Sequence, residues 1–181
     1  MSRLFPHTVY AEDQPLAHTI LTTHVLTRAV TMGTLIGLGV TGTRQLIPAL
    51  RRPGPGPLPP PLPARLLLSA SSGSLIAAGV TAVGLAFRMQ GRQRIEWQDR
   101  SWRLLENEGQ LETDDWTYVG MGAAAAAAVA TGRVRALGWR GLVGAMGLGS
   151  VGGVAGYLAW RYGVNGGKFP EKNRSEREGG I

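Results

Sequence analysis

Between Arg65 and Arg88 stand 22 consecutive residues, Leu66 to Phe87, without a charged side chain. As a helix rising 1.5 Å per residue they extend about 33 Å, enough to cross the hydrocarbon of a bilayer. A second uncharged run, Gly141 to Trp160, is 20 residues long between Arg140 and Arg161. Trp116 to Gly132 gives 17 more, dominated by the alanines Ala123 to Ala128, and alanine is the best helix former. Ala29 to Thr43 is only 15 residues between Arg28 and Arg44. That helix can begin near Thr19 if Arg28 snorkels toward the headgroups or faces a protein partner. A soluble helix of such length needs a polar face. These segments have none, because their polar residues are Ser, Thr and Gly spread around the wheel. The fold class is therefore expected to be all-α, a polytopic integral membrane protein with about four Gly/Ala-rich transmembrane helices at 19–43, 66–87, 116–132 and 141–160. Two hairpins would be joined by an interfacial amphipathic helix.

Tryptophan placement agrees with a bilayer. Trp97, Trp102, Trp116, Trp139 and Trp160 all fall at or outside span ends, where amphipathic rings favour the interface. Trp139 and Trp160 are 21 residues apart, about 31 Å along a helix, and would mark the two faces of one membrane.

The connectors differ from one another. An N-terminal segment, 1–18, precedes the first span. The loop 44–65 holds eight of the eleven prolines, and so many residues without an amide donor cannot build a helix or a central strand. It is expected to be an extended connector; its Pro60-x-x-Pro63-x-Arg65 pattern matches SH3 ligands in letters only, with Arg65 better explained as the anchor of the next span. The loop 88–115 is amphipathic. Stepping 100° per residue puts Ile95, Trp97, Gln98, Ser101, Trp102, Leu104 and Leu105 on one half of a wheel and Glu96, Asp99, Arg100, Arg103, Glu106 and Asn107 on the other. Glu96/Arg100 and Asp99/Arg103 are expected i, i+4 pairs, with Gly109 as the stop. Ile95, Trp97, Trp102, Leu104 and Leu105 are its expected docking face, toward a membrane surface or a partner. A short basic loop, 133–140, precedes the last span, and a polar tail, 161–181, follows it. The first 15 residues set Arg3 against Glu12 and Asp13, unlike an Arg-rich, acid-poor presequence, so insertion is expected to use the spans themselves.

With four spans, the loops 44–65 and 133–140 share one side and carry seven arginines without an acid, while the other side holds twelve basic and twelve acidic residues. The positive-inside bias puts the hairpin loops inside and both termini outside. Arg51, Arg52, Arg133, Arg135 and Arg140 form a basic rim suited to a phospholipid headgroup.

Catalytic chemistry has little footing. The chain has no cysteine, which removes disulfides, Cys-ligated metals and thiol catalysis. Its three histidines are His7, His18 and His24; His18 and His24 point to different helix faces and no carboxylate cluster accompanies them, so no metal site is expected. Two G-x-G-x-x-G matches, Gly37 to Gly42 and Gly147 to Gly152, sit inside uncharged helical spans rather than in the strand-turn-helix context of a nucleotide site. The same glycines suit close helix packing: Gly141, Ala145, Gly149 and Gly153 recur every four residues, and Gly152/Gly156 and Gly33/Gly37 add small-xxx-small pairs. No ionisable side chain is expected near a span centre, which argues against an ion path. No cofactor, nucleic acid or small-molecule substrate is expected.

The stretch Ile95-Glu-Trp-Gln-Asp-Arg-Ser-Trp-Arg-Leu-Leu-Glu-Asn-Glu-Gly-Gln, running on to Asp114-Asp115-Trp116, resembles the fungal NUXM family of accessory subunits of mitochondrial respiratory complex I. The opening Gln14-Pro-Leu-Ala-His-Thr-Ile20 and the small-residue spans fit the same family, so the resemblance covers most of residues 14 to 162. The proline-rich loop and the tail lie outside it. The resemblance implies a multi-pass subunit of the mitochondrial inner membrane, without cofactor or catalytic residues, that stabilises the membrane arm of NADH:ubiquinone oxidoreductase. Its partners would be other membrane-embedded subunits of a large hetero-oligomer and phospholipid, cardiolipin being the natural candidate. The alternative is a component of an inner-membrane protein translocase of the Tim family, which also has four Gly-rich spans but whose Arg and Asp pattern finds no place here. A carrier working alone lacks both an intramembrane charge and an inverted repeat.

Overall fold

The computed structural model describes residues 4–50 and 60–167. Among them the regular structure is helical: α1 (Ala17–Leu46), α2 (Leu62–Met89), α3 (Arg94–Glu106), α4 (Glu108–Ala130) and α5 (Arg133–Leu158), with a π-helical turn, Ala159–Val164, ending α5. The first and second expected spans lie within longer helices; the third overruns α4 by Thr131 and Gly132, and the fourth ends in the π-helical turn. Three of the helices are long and apolar enough to cross a membrane: Ala17–Leu46, Leu62–Met89 and Arg133–Val164. The helix holding the expected third span is not among them. Its apolar run is mostly alanine, which is only weakly hydrophobic, and its first turns carry Glu108, Glu112, Asp114 and Asp115.

One expected loop is helix, and the described ends of another are largely so. The basic stretch 133–140 is the start of α5, broken at Gly138, whose φ of 62° and ψ of −158° interrupt the helix. Of the proline-rich loop 44–65, Arg44 to Leu46 finish α1, Pro48–Leu50 is a 3-10 turn, and α2 begins at Leu62. Arg51 and Arg52, with the tail from 168 onward, lie outside the described residues. Gly109 does not stop α3. Asn107 does, and its side-chain oxygen accepts from the Gln110 amide at 3.1 Å to cap α4; Gly109 lies inside α4.

Helix contacts are made backbone to backbone. A Cβ on Gly33 would sit on the carbonyl oxygen of Gly73, and one on Gly73 on that of Gly33. Gly37 faces the Ser69 carbonyl in the same way, and the Ser69 hydroxyl donates to the Gly37 carbonyl at 2.6 Å. With 33 opposite 73 and 37 opposite 69, α1 and α2 are antiparallel. On the other side of the molecule Gly120 and Gly149 occupy each other's Cβ space, and Gly153 lies on the Trp116 carbonyl, so α4 runs antiparallel to α5. Gly144 rests on Leu67 of α2, and Gly147 on the hydroxyls of Thr34 and Ser74. The end of α1, the start of α2 and the turn at 131–132 therefore share one end of the bundle.

Three of the glycines expected in this packing have other surroundings. Around Gly141 the nearest atoms are Leu137 Cβ at 2.8 Å and the Arg133 carbonyl oxygen at 3.0 Å, because the break at Gly138 folds the preceding turn back onto it. Around Gly152 nothing lies within 4 Å of a Cβ; it is on the outer side of α5. Gly156 meets only the Trp116 ring, at 3.2 Å. Ala145 is buried with Leu67 and Ala128.

The surface is apolar and the interior small and polar. Met32, Ile36, Ile76, Val80, Val83, Phe87, Val119 and Val129 are exposed, whereas Thr31, Thr34, Ser71, Ser74, Thr117 and Ser150 are buried. Inward hydroxyls bond across helices, Thr34 with Ser74 at 2.7 Å and Thr31 to Ser150 at 3.1 Å. Such an arrangement suits a solvent of lipid, where apolar contact gives no advantage and close approach and hydrogen bonds hold helices together.

Replacement of Gly33 or Gly149 by alanine should destabilise the bundle by about 1–3 kcal/mol, the usual cost of overpacking. The same change at Gly152 should be neutral or slightly stabilising, since alanine is the better helix former. Thermal unfolding in detergent, followed by the helical circular dichroism signal, checks both. Equal losses at Gly33 and Gly152 would contradict the packing described.

Candidate functional site: a charge cluster between α1 and α4

The expectation that no ionisable side chain lies near a span centre does not hold. Arg28 is three residues from residue 31, the midpoint of the expected first span, or about 4.5 Å along the axis. His24 stands one helical turn before it, on the same face. Both meet Asp114 of α4: Arg28 Nη2 is 2.7 Å from Asp114 Oδ1, and His24 Nδ1 is 2.6 Å from Asp114 Oδ2. The carboxylate is buried, with only a tenth of its side chain accessible. A carboxylate only accepts hydrogen bonds, so its contact with His24 places a proton on Nδ1. The Arg28 contact is a close ion pair without hydrogen-bond alignment at Oδ1, and the guanidinium also reaches the Gln110 carbonyl and side chain, each at 3.4 Å.

Arg28 thus faces a partner inside its own chain. This solves its depth: a charge in hydrocarbon is costly unless it faces the interior and pairs. The Arg28 and Asp114 charges offset one another. Around it α1 turns a row of hydroxyls inward, Thr27, Thr31 and Thr34, each of which also returns a hydrogen bond to the carbonyl four residues earlier.

A second buried cation closes the same end. Arg161, expected as the first residue of the polar tail, is 4% accessible; it donates to Glu112 Oε2 at 3.1 Å and to the Gly167 carbonyl at 3.0 Å, tying the end of α5 to the first turns of α4.

The amphipathic helix forms as expected in place and face, but its apolar side is covered by the chain's own N-terminal segment and the start of α1. Leu105 is buried with Ile20 and Leu111, and Leu104 and Phe5 pack against them. Trp97 stacks on His18 with centroids 4.0 Å apart, and Trp102 on His7 at 5.9 Å. The Trp102 indole donates to the Thr8 carbonyl at 2.9 Å, and the Gln98 amide to the Glu12 carbonyl at 2.6 Å. Gln14, itself buried, donates to the Pro6 carbonyl at 2.8 Å. Ile95 alone of the expected docking residues is exposed. Of the two expected pairs, Asp99/Arg103 forms at 3.0 Å. Glu96 instead pairs with Arg92 and closes a capping box with the Gln93 amide, while Arg100 reaches the Met89 sulfur at 2.6 Å.

Of the expected headgroup residues in the described part, Arg133, Arg135 and Arg140 are all exposed, and Arg140 Nη2 donates to the Ser72 hydroxyl at 2.7 Å. Among the described residues no group of three or more His, Cys, Asp or Glu side chains could hold a metal ion. His24, Arg28 and Asp114 are the candidate site residues that the sequence concealed. One signal was present, the i, i+4 spacing of His24 and Arg28 within α1, whose other ionisable residues, His18 and Arg44, lie near its ends. Asp114 is 90 residues away from His24, and only the tertiary fold brings it in.

Comparison with protein-family models, with curated proteins and with solved structures finds no match to this chain. The cluster therefore has to be understood from its own chemistry. It contains a carboxylate held by a guanidinium on one oxygen and an imidazole on the other. It can lock α4 against α1.

Asp114→Leu should leave the Arg28 cation without its carboxylate and cost about 3 kcal/mol, the effect of removing one partner of a buried pair. The double replacement Arg28→Met with Asp114→Leu should recover most of that loss, because neither desolvated charge remains. Unfolding free energies of the two single variants and the double variant form the cycle that checks this; additive losses would rule out the pairing.

Proposed function

We propose that this chain is a non-catalytic accessory subunit of the mitochondrial inner membrane, which stabilises or helps assemble the membrane arm of NADH:ubiquinone oxidoreductase. One observation supports the reading above the others. The two segments that carry the resemblance, 14–20 and 95–116, pack on one another: Ile20 against Leu105 and Leu111, His18 on Trp97, and the Gln98 amide within 3.4 Å of the Gln14 carbonyl. Residues that would define the family are those that build the fold at this end. The polar groups of the interior are likewise engaged in holding helices to one another, which is what a structural subunit requires.

In this reading α4 crosses the membrane with α1, α2 and α5, giving four spans. Its glycine contacts with α5 run along the apolar part of the helix, and Asp114, its buried charge, is paired with Arg28. The outer faces, lined by residues such as Ile76, Val80, Val119 and Ala126, meet lipid or neighbouring subunits. The stretches 44–65 and 133–140 face the matrix with their seven arginines, and both termini face the intermembrane space. A second reading, a component of a Tim-type protein translocase, draws support from the charged cluster between α1 and α4, which is a polar patch inside the membrane layer.

Mild-detergent extraction, native gel separation and identification of the co-migrating proteins test the assignment. We expect co-migration with NADH dehydrogenase activity; co-migration with an import channel would transfer the assignment to the second reading. Gly149→Leu with Gly153→Leu should separate α4 from α5 and reduce the assembled pool several-fold. Electron transfer per assembled copy should stay unchanged, and a loss per copy would contradict a purely structural role.

A further inference from the structure

The charges of this chain are sorted by end. The ion pairs between His7 and Glu106, His24 and Asp114, Arg28 and Asp114, Arg92 and Glu96, Asp99 and Arg103, and Arg161 and Glu112 all lie at the end that holds α3. Every acidic residue among the described ones belongs to that half, in the stretches 12–13 and 96–115. The opposite end, where α1 turns into α2 and α4 into α5, has arginines and no described acid to neutralise them.

At this end the backbone gathers three of the arginines. A straight helix would put Arg133 and Gly141 about 12 Å apart. Instead the Arg133 carbonyl oxygen lies 3.0 Å from the position of a Gly141 Cβ, because Gly138 breaks α5 with a positive φ. The break forms a hook that brings Arg133 beside Arg140, with Arg135 on the same turn and all three exposed. Arg140 then extends along α2 and donates to the Ser72 hydroxyl, seven residues inside the uncharged run that begins at Leu66. Trp139, next to it, is among the most exposed aromatic residues of the chain. A guanidinium drawn down along an apolar helix, beside an exposed indole, lies just inside the charged end of the span, where it can reach up to a lipid phosphate.

We propose that the Gly138 hook is a binding site for the headgroup of an anionic phospholipid, with the phosphate held by Arg133, Arg135 and Arg140 and the acyl chains lying on the apolar face of α2. Arginine suits the task because its planar donors can hold a phosphate through two hydrogen bonds at once. The Ser72 bond fixes one edge of the Arg140 guanidinium and aims the other outward. The inference rests on the membrane reading, and it narrows a general basic rim to one hook and one hydroxyl.

The test uses the full chain reconstituted in phosphatidylcholine vesicles containing phosphatidylglycerol, then extracted mildly, with retained lipid counted by native mass spectrometry. Wild type should keep phosphatidylglycerol over phosphatidylcholine. Each of Arg133→Gln, Arg135→Gln and Arg140→Gln should lower that preference about fivefold, the equivalent of ~1 kcal/mol per basic residue at an anionic surface. Arg92→Gln and Arg103→Gln, at the other end, should leave it unchanged, and so should added inorganic phosphate. Equal loss from either end would overturn the site and leave only general charge attraction, and displacement by inorganic phosphate would overturn the lipid assignment. A chain that fails to insert into the vesicles, being released by carbonate, would overturn the membrane reading itself.

Discussion

In a lipid solvent, apolar side chains gain nothing by turning toward one another, so cohesion has to come from elsewhere. Here it comes from backbone contact at glycine. Gly33 against Gly73 and Gly120 against Gly149 bring helix axes closer than any side chain allows. Dispersion between backbones, and hydrogen bonds such as Ser69 to the Gly37 carbonyl, then act over short distances. The hydroxyls buried between α1, α2 and α5 can meet only because those helices are already close. The inverted distribution of polarity, with isoleucine and valine outside and serine and threonine inside, follows from the same constraint.

The charged cluster depends on that packing. Asp114 is buried against α1 only if α4 lies along the bundle, and α4 is placed there through its glycine contacts with α5. In return the cluster gives the arrangement a register. Glycine interfaces tolerate sliding by a turn, since one small residue resembles another, whereas Arg28 and His24 can neutralise Asp114 at one setting alone. Buried polar groups are best attested in this role of fixing register. Arg161 and Glu112 repeat the device at the end of α5.

The sequence reveals much of this fold because hydrophobicity is local. An uncharged run such as Leu66 to Phe87 specifies a helix and its length whatever surrounds it, and the wheel of α3 shows its apolar face without knowledge of what covers it. What could not be read were the relations between segments. That α3 docks on the chain's own residues 4–20 requires the first and middle thirds of the chain to meet, and no periodicity encodes that. Gly141 and Gly149 belong to the same four-residue repeat, yet the break at Gly138 gives one of them an intrahelical neighbour and the other an interhelical one. Arg28 reads as an awkward charge on the edge of a short span until Asp114 arrives from α4. For the same reason Asp114 and Asp115 read as the end of a loop, although they lie in the second turn of a helix.

The central claim is that the small and hydroxyl-bearing faces of α1, α2 and α5 turn toward one another within the membrane. The chain has no cysteine, so a single introduced pair can report on it. Thr31→Cys with Ser150→Cys places two thiols where hydroxyls stand 3.1 Å apart. In intact membranes treated with a mild oxidant, this pair should form an intramolecular disulfide and shift the chain's mobility on a non-reducing gel. Disulfides linking separate chains instead, or thiols that remain free to alkylating reagents after oxidation, would contradict the account.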